Sequence, residues 1–176
     1  MDLDALFADL LEAAREDAPQ LAVRDVLQRA VTDRAGLAEA LPCTRAEFVP
    51  LVVTPELTII KTVWAPRMQV PPHDHRMWGA IGVFAGKEDN AYYRRAGDGL
   101  EAAGGKELVE GDVSLMGTDI IHAVTAPLTH GWTGAVHVYG GDFMAQQRST
   151  WIDGVEGPSD SAKTAAIFEA ANATLD

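Results

Sequence analysis

Pro71-Pro72-His73-Asp74-His75 decides how this chain is read. Two histidines two apart on an extended segment project to the same side, because side chains alternate across a strand. Two imidazoles aimed into one space are the beginning of a site for a divalent transition metal. The bland alternative is a pair of polar strand-end residues whose ring nitrogens meet backbone carbonyls. A third histidine, His122, stands in a second strand-like stretch, Ile120-Ile121-His122-Ala123-Val124, after a turn at Gly111-Asp112. His137 and Tyr139 repeat the two-apart spacing further on, while His130 falls in a loop and reads as solvated.

The surrounding texture is β. From about Phe48, short β-rich runs at 57–64, 79–85, 90–95, 107–115, 121–125 and 134–139 alternate with turn clusters such as Ala96-Gly97-Asp98-Gly99 and Gly104-Gly105. Many short strands at regular spacing predict a sandwich or barrel. Before them, Leu3, Leu6, Phe7, Leu10, Leu11 and Ala14 recur at helical spacing, as do Val23, Val26, Leu27, Ala30 and Val31. Pro19 separates the two helices, and a third runs over 33–41 until Pro42. A tail helix over 158–174 takes Ser159 or Asp160 as N-cap. The expectation is one domain over 1–176: a helical region at 1–45, a barrel at 48–150 and the C-terminal helix, with the N-terminal helices packed outside the barrel.

Composition narrows the function. Of 176 residues, 26 are acidic and 14 basic, a net charge of -12. That charge repels phosphate backbones and anionic lipid, so nucleic acid and membrane are not expected as partners. An anionic substrate would need a local cation to hold it. The lone cysteine, Cys43, excludes a disulfide framework and a cysteine-rich zinc site. The acidic N-terminus lacks the features of a signal peptide, and the expected location is the cytoplasm.

Taken together, Pro72-His73-Asp74-His75…Trp78-Gly79…Ile81-Gly82, Gly111-Asp112…Ile121-His122 and His137-Val138-Tyr139-Gly140 resemble the two motifs of the cupin barrel. More narrowly they are similar to the thiol dioxygenases: the cysteine dioxygenase family and its bacterial 3-mercaptopropionate branch. They also look like bacterial metal-dependent cupins of uncertain substrate. The resemblance covers roughly residues 48–150. It implies a mainly β fold, the cupin double-stranded β-helix or jelly-roll barrel. It also implies a mononuclear Fe(II) held by His73, His75 and His122, with Ni, Co, Cu, Mn or Zn as other metals that suit three imidazoles. The implied reaction joins O2 to a small thiol, giving a sulfinate. Tyr139 and His137 then orient the ligands, and Arg148, nine residues past the tyrosine, grips the substrate carboxylate. The competing arginines are Arg67, Arg76, Arg94 and Arg95.

The chain departs from the pattern at several points. Gly79 and Ala80 stand where many cupins place a fourth, glutamate ligand. Ala80 also stands where the mammalian-type enzymes carry a cysteine cross-linked to the tyrosine. Ala135 replaces the serine of the family's Ser-X-His-X-Tyr relay, and no arginine occurs around Phe48-Val49-Pro50. These departures keep two other readings open: a metal-dependent cupin enzyme acting on a non-thiol substrate, and a non-catalytic cupin that binds a metal or ligand.

Overall fold

Strand alternation between two sheets closes this chain into a barrel. A computed structural model describes residues 1–175. Three helices come first: α1 (Leu3–Ala13), α2 (Pro19–Ala30) and α3 (Arg34–Ala40). The strands are β1 (Glu47–Val53), β2 (Thr58–Trp64), β3 (Gln69–Asp74), β4 (Gly79–Ala85), β5 (Lys87–Ala96), β6 (Gly99–Val109), β7 (Val113–Met116), β8 (Ile121–Thr125), β9 (Thr133–Tyr139), β10 (Ser149–Ile152) and β11 (Val155–Pro158). Helix α4 (Ser161–Ala173) ends the described chain.

One sheet has the order β1-β2-β9-β4-β7 and the other β11-β10-β3-β8-β5-β6. Within them, β2-β9-β4-β7 faces β3-β8-β5-β6, and the chain changes sheet at every connection from β2 to β9 except the β5–β6 hairpin. That is the winding of a double-stranded β-helix, the jelly roll expected from the sequence. Both sheets are antiparallel throughout.

The period-2 pattern divides the first sheet between two cores. Ile59, Ala80, Phe84, Val136 and Val138 face outward and pack with Leu10, Leu27, Val31 and Leu37 of the N-terminal helices. Ile60, Ile81, Val83, Ala135 and Tyr139 face the barrel interior with Met116 and Phe143. Gly82 sits on the helix side, where a Cβ would lie 2.9 Å from Val31 Cγ1. It is therefore a point of close helix approach. Gly86, with φ +71°, makes the turn between β4 and β5.

Other boundaries move as well. The run expected over 107–115 is two strands, because Gly111 turns the chain with φ +92° and Asp112 Oδ2 accepts from Val109 N. Gly104-Gly105 is not a turn. It lies inside β6 opposite a register shift at Tyr92/Tyr93, a bulge that Gly104 permits with φ +123°. The flanking strands β1, β10 and β11 carry too little alternation to be read from sequence.

The open end of the barrel is covered by α4. Its N-cap is Asp160, whose Oδ1 accepts from Ala162 N and Lys163 N. Phe168 is the buried anchor, stacked on Trp64 at 5.5 Å and tilted against Phe48 at 6.2 Å. Asn172 grips the chain just before β1 in both directions, accepting from Ala46 N and donating to Ala46 O.

Candidate metal centre

Three imidazoles from two adjacent strands meet at the inner wall. His73 lies in β3 directly opposite His122 of β8 in the antiparallel register. His75 lies just beyond the end of β3, and Arg76 follows it in the left-handed region at φ +54°. One potential ligand nitrogen from each ring falls within 4.8 Å of the other two. The Nε2 atoms of His75 and His122 are 3.3 Å apart. Two nitrogens each about 2.1 Å from one cation subtend a separation of this order.

Hydrogen bonding aims the lone pairs. His73 Nδ1 lies 2.9 Å from Pro71 O, and a carbonyl only accepts, so the hydrogen is on Nδ1 and Nε2 is free. His122 Nδ1 lies 2.7 Å from Asn90 Oδ1. The amide orientation is fixed from the other side, because Asn90 Nδ2 donates to Glu88 Oε1 at 2.9 Å. His122 therefore also donates from Nδ1 and presents Nε2 as a lone pair. His75 is 1% exposed, and its buried Nδ1 has no hydrogen-bond partner. An unpartnered ring in a cluster of acceptors fits a cation better than it fits an apolar core. His73, His75 and His122 could thus hold a divalent metal. No glutamate joins them: Ala80 faces the helices, and a Cβ on Gly79 would lie 3.2 Å from the Tyr139 ring.

All three rings are held neutral, as a metal requires. Burial pushes His73 down to about 4, with the Arg148 cation assisting and the Pro71 carbonyl opposing. Burial first, then the neighbouring rings, pushes His75 and His122 well below the ordinary range. A consequence is acid sensitivity of the metal-free protein. Between pH 6.5 and 4 the unfolded chain takes up a proton on His73 that the folded chain does not. Stability from this ring is complete above the unfolded value and drains away as pH falls through the window, a loss of order 3 kcal/mol. Urea midpoints of chelator-treated protein should show this fall, and His73→Gln should flatten it relative to wild type.

A second polar cluster lies beside the rings. Glu88 of β5 is fully buried. Its Oε2 accepts from Trp64 Nε1 at 2.7 Å and faces His137 Nε2 at 3.7 Å. Burial alone would raise its pKa. The His137 ring, the Asn90 amide and the Trp64 indole outweigh that and hold it below its usual value. His137 Nδ1 lies 3.1 Å from the Tyr139 hydroxyl. Burial raises the Tyr139 pKa, so the phenol keeps its proton. Its ring lies edge-on to His75 at 4.7 Å and stacks on Phe143 at 4.2 Å. Glu88, Asn90 and Trp64 were not legible as site residues, since Glu88 and Asn90 read as part of a charged stretch and Trp64 as apolar core.

His73 and His122 open onto a cavity of about 460 Å³. His73, His122, His137, Tyr139 and Arg148 line its inner part, and Phe48, Phe143, Ile167 and Phe168 its apolar walls. Arg148 stacks its guanidinium 3.8 Å over the Phe143 ring. Its Nε is buried without a partner, and the guanidinium pairs with no carboxylate among the described residues. The backbone beside it is pinned to the histidine segment, because Ser149 N donates to Asp74 Oδ1 at 2.6 Å. Asp74 thus points away from the rings, as strand alternation requires. The competing arginines lie elsewhere. Arg76 pairs with Asp74, Arg94 with Glu101 and Arg95 with Glu156, and Arg67 is exposed. Arg45, three residues before Phe48, lines the outer end of the cavity but is paired to Glu169 of α4 at 2.9 Å. Cys43 packs on the helix side, away from the site.

No family model matches the chain. Among solved structures, a protein of Bacillus halodurans aligns at 14% identity over 60% of this chain and 77% of its own, with a TM-score of 0.51. A protein of Klebsiella pneumoniae with a double-stranded β-helix domain aligns at 12% identity over 65% and 87%, with a TM-score of 0.49. An RmlC-like cupin family protein of Methanocaldococcus jannaschii aligns at 14% identity over 58% and 84%, with a TM-score of 0.46. Identities this low speak to fold alone. The strand order above is that of a double-stranded β-helix, and it carries a three-histidine cluster that could bind a metal. No helix among the described residues is long and apolar enough to cross a membrane.

Proposed function

We propose that this chain is a mononuclear non-heme iron dioxygenase acting on a small thiol that bears a carboxylate, such as 3-mercaptopropionate. The observation that carries the reading is Arg148: a half-buried cation without a carboxylate partner, lining the same cavity as His73 and His122 of the three-histidine cluster. Neutral ligands leave a bound Fe(II) its full charge. The chemistry that it would supply is a lowered thiol pKa and redox coupling of the thiolate to O2. Overall, RSH and O2 give RSO2H, sulfur losing the four electrons that O2 gains.

The chain's own residues do the rest. The planar Arg148 guanidinium takes the carboxylate through two parallel hydrogen bonds. That fixes which end of the substrate reaches the histidines. The Tyr139 hydroxyl, whose one hydrogen goes to His137 Nδ1, offers the reacting end an acceptor oxygen. Phe143 and the Tyr139 ring exclude water beside it. A second reading, a cupin enzyme for a larger non-thiol carboxylate, is favoured by the cavity, which exceeds what six heavy atoms fill.

The test is O2 uptake by protein loaded anaerobically with Fe(II), screened over 3-mercaptopropionate, cysteine, cysteamine and longer mercaptoacids. The expected result is stoichiometric O2 consumption, with both atoms of 18O2 in the sulfinate and preference for a carboxylate. Absence of uptake with every thiol removes this substrate class and leaves the second reading.

A further inference from the structure

We infer that Glu88 is the positioning residue of this site, setting through one buried charge the hydrogen placement on both His122 and the His137–Tyr139 pair. The inference rests on the three rings forming one metal site. Nothing in the barrel's packing requires a carboxylate at a fully buried position, where an ion is expensive unless every oxygen is satisfied. Glu88 is surrounded by groups whose orientation matters to the site: Asn90 on Oε1, Trp64 on Oε2, and the His137 ring facing Oε2.

The orientations follow from donor and acceptor logic alone. An ionised carboxylate only accepts. Asn90 must therefore turn its amide nitrogen toward Glu88 and its oxygen toward His122. His122 must answer with a hydrogen on Nδ1, which leaves Nε2 bare toward His75. On the other branch, the anion favours a hydrogen on His137 Nε2. That leaves Nδ1 to accept from the Tyr139 hydroxyl. Ala135 offers His137 no side-chain hydrogen bond from its own strand, and the charge that its otherwise unpartnered Nε2 faces is the Glu88 carboxylate of β5, 3.7 Å away.

Glu88→Gln keeps the shape and breaks the logic. If the new amide nitrogen faces Asn90, Asn90 must flip. His122 Nδ1 then has to accept, and its hydrogen moves to Nε2, into the site. If the nitrogen instead takes the Oε2 place, it meets the Trp64 N–H head-on. It also confronts His137 Nε2, which must accept, and the Tyr139 hydrogen bond reverses. Either way, one ring changes tautomer.

Long-range 1H–15N spectra of the metal-free protein report these tautomers directly. The expected wild-type pattern is a hydrogen on Nδ1 of His122 and on Nε2 of His137, with at least one moved in Glu88→Gln. Competition titration with Zn(II) alone should show a 10- to 100-fold weaker affinity where His122 has flipped. A wild-type His122 carrying its hydrogen on Nε2 overturns the inference. So does a folded Glu88→Gln protein with both tautomers and its Zn(II) affinity unchanged. A merely structural carboxylate would lower the urea midpoint and leave both readouts alone. If the variant does not fold, the wild-type spectrum decides. If wild type binds no zinc, the proposed function fails, while the tautomers still report on Glu88.

Discussion

His75→Leu should abolish metal binding and thiol-dependent O2 uptake, yet leave the metal-free protein at least as stable as wild type. The two halves follow from one observation. His75 is almost completely buried, its Nδ1 has no partner, and its Nε2 points at another ring's nitrogen. An unsatisfied buried polar atom costs about 1–3 kcal/mol, and an apolar side chain of similar size removes that penalty. A metal would reverse the balance. Bound at one hundred times its Kd, it adds about 2.7 kcal/mol to the folded state. Removing one of three ligands should weaken binding by more than the roughly 100-fold lost with an outer partner. Thermal unfolding with and without Zn(II) reads both effects. Wild type should rise in Tm with metal, and His75→Leu should start level or higher and not respond. A metal-free variant several kcal/mol less stable than wild type would mean that the histidines serve the core and not a ligand.

What could be read from the chain before its structure tracks how local each signal is. The His73/His75 spacing and strand-like setting of His122 placed three rings together because strand alternation is a local rule. The register that puts His73 directly opposite His122 is a long-range fact, and the spacing only anticipated it. The helices over the first forty residues were legible because each buries an apolar stripe in one core, α2 and α3 against the first sheet and α1 against α2. The edges were not. Strands β10 and β11 form a short hairpin with one register contact between β10 and β3, too brief for a periodic pattern.

The site divides in the same way. Tyr139 and His137 stood out as a polar pair within an apolar strand. Glu88 and Asn90 show the same two-apart spacing but sit beside Lys87 and Asp89, so they read as one more solvated charged stretch. Only the β5–β8 pairing, which sets Asn90 against Val124 and Tyr92 against His122, turns their alternate face inward. The covering role of α4 was hidden for a different reason. It is held by one aromatic, Phe168, and one amide, Asn172, and neither leaves an amphipathic trace along the helix.

Arg148→Met should lower kcat/KM for a thiol carboxylate about 10- to 100-fold, the loss of a charge-assisted hydrogen bond of about 1.5–3 kcal/mol. The same variant should turn over a thiol lacking a carboxylate as wild type does. Methionine keeps much of the stem that covers Phe143, so the cavity wall survives while the charge goes. Arg148→Lys should recover little, because an ammonium neither stacks flat on the ring nor presents two parallel donors. Folding should not suffer. Burial already lowers the Arg148 pKa, and its Nε has no partner to lose. In so acidic a chain, a guanidinium beside three neutral rings without a carboxylate partner is poorly explained by surface charge pairing. Equal losses on substrates with and without the carboxylate would mean that Arg148 shapes the cavity and does not bind the anion. An unchanged KM and kcat on both would move the anchor to Arg45, which would first have to leave Glu169.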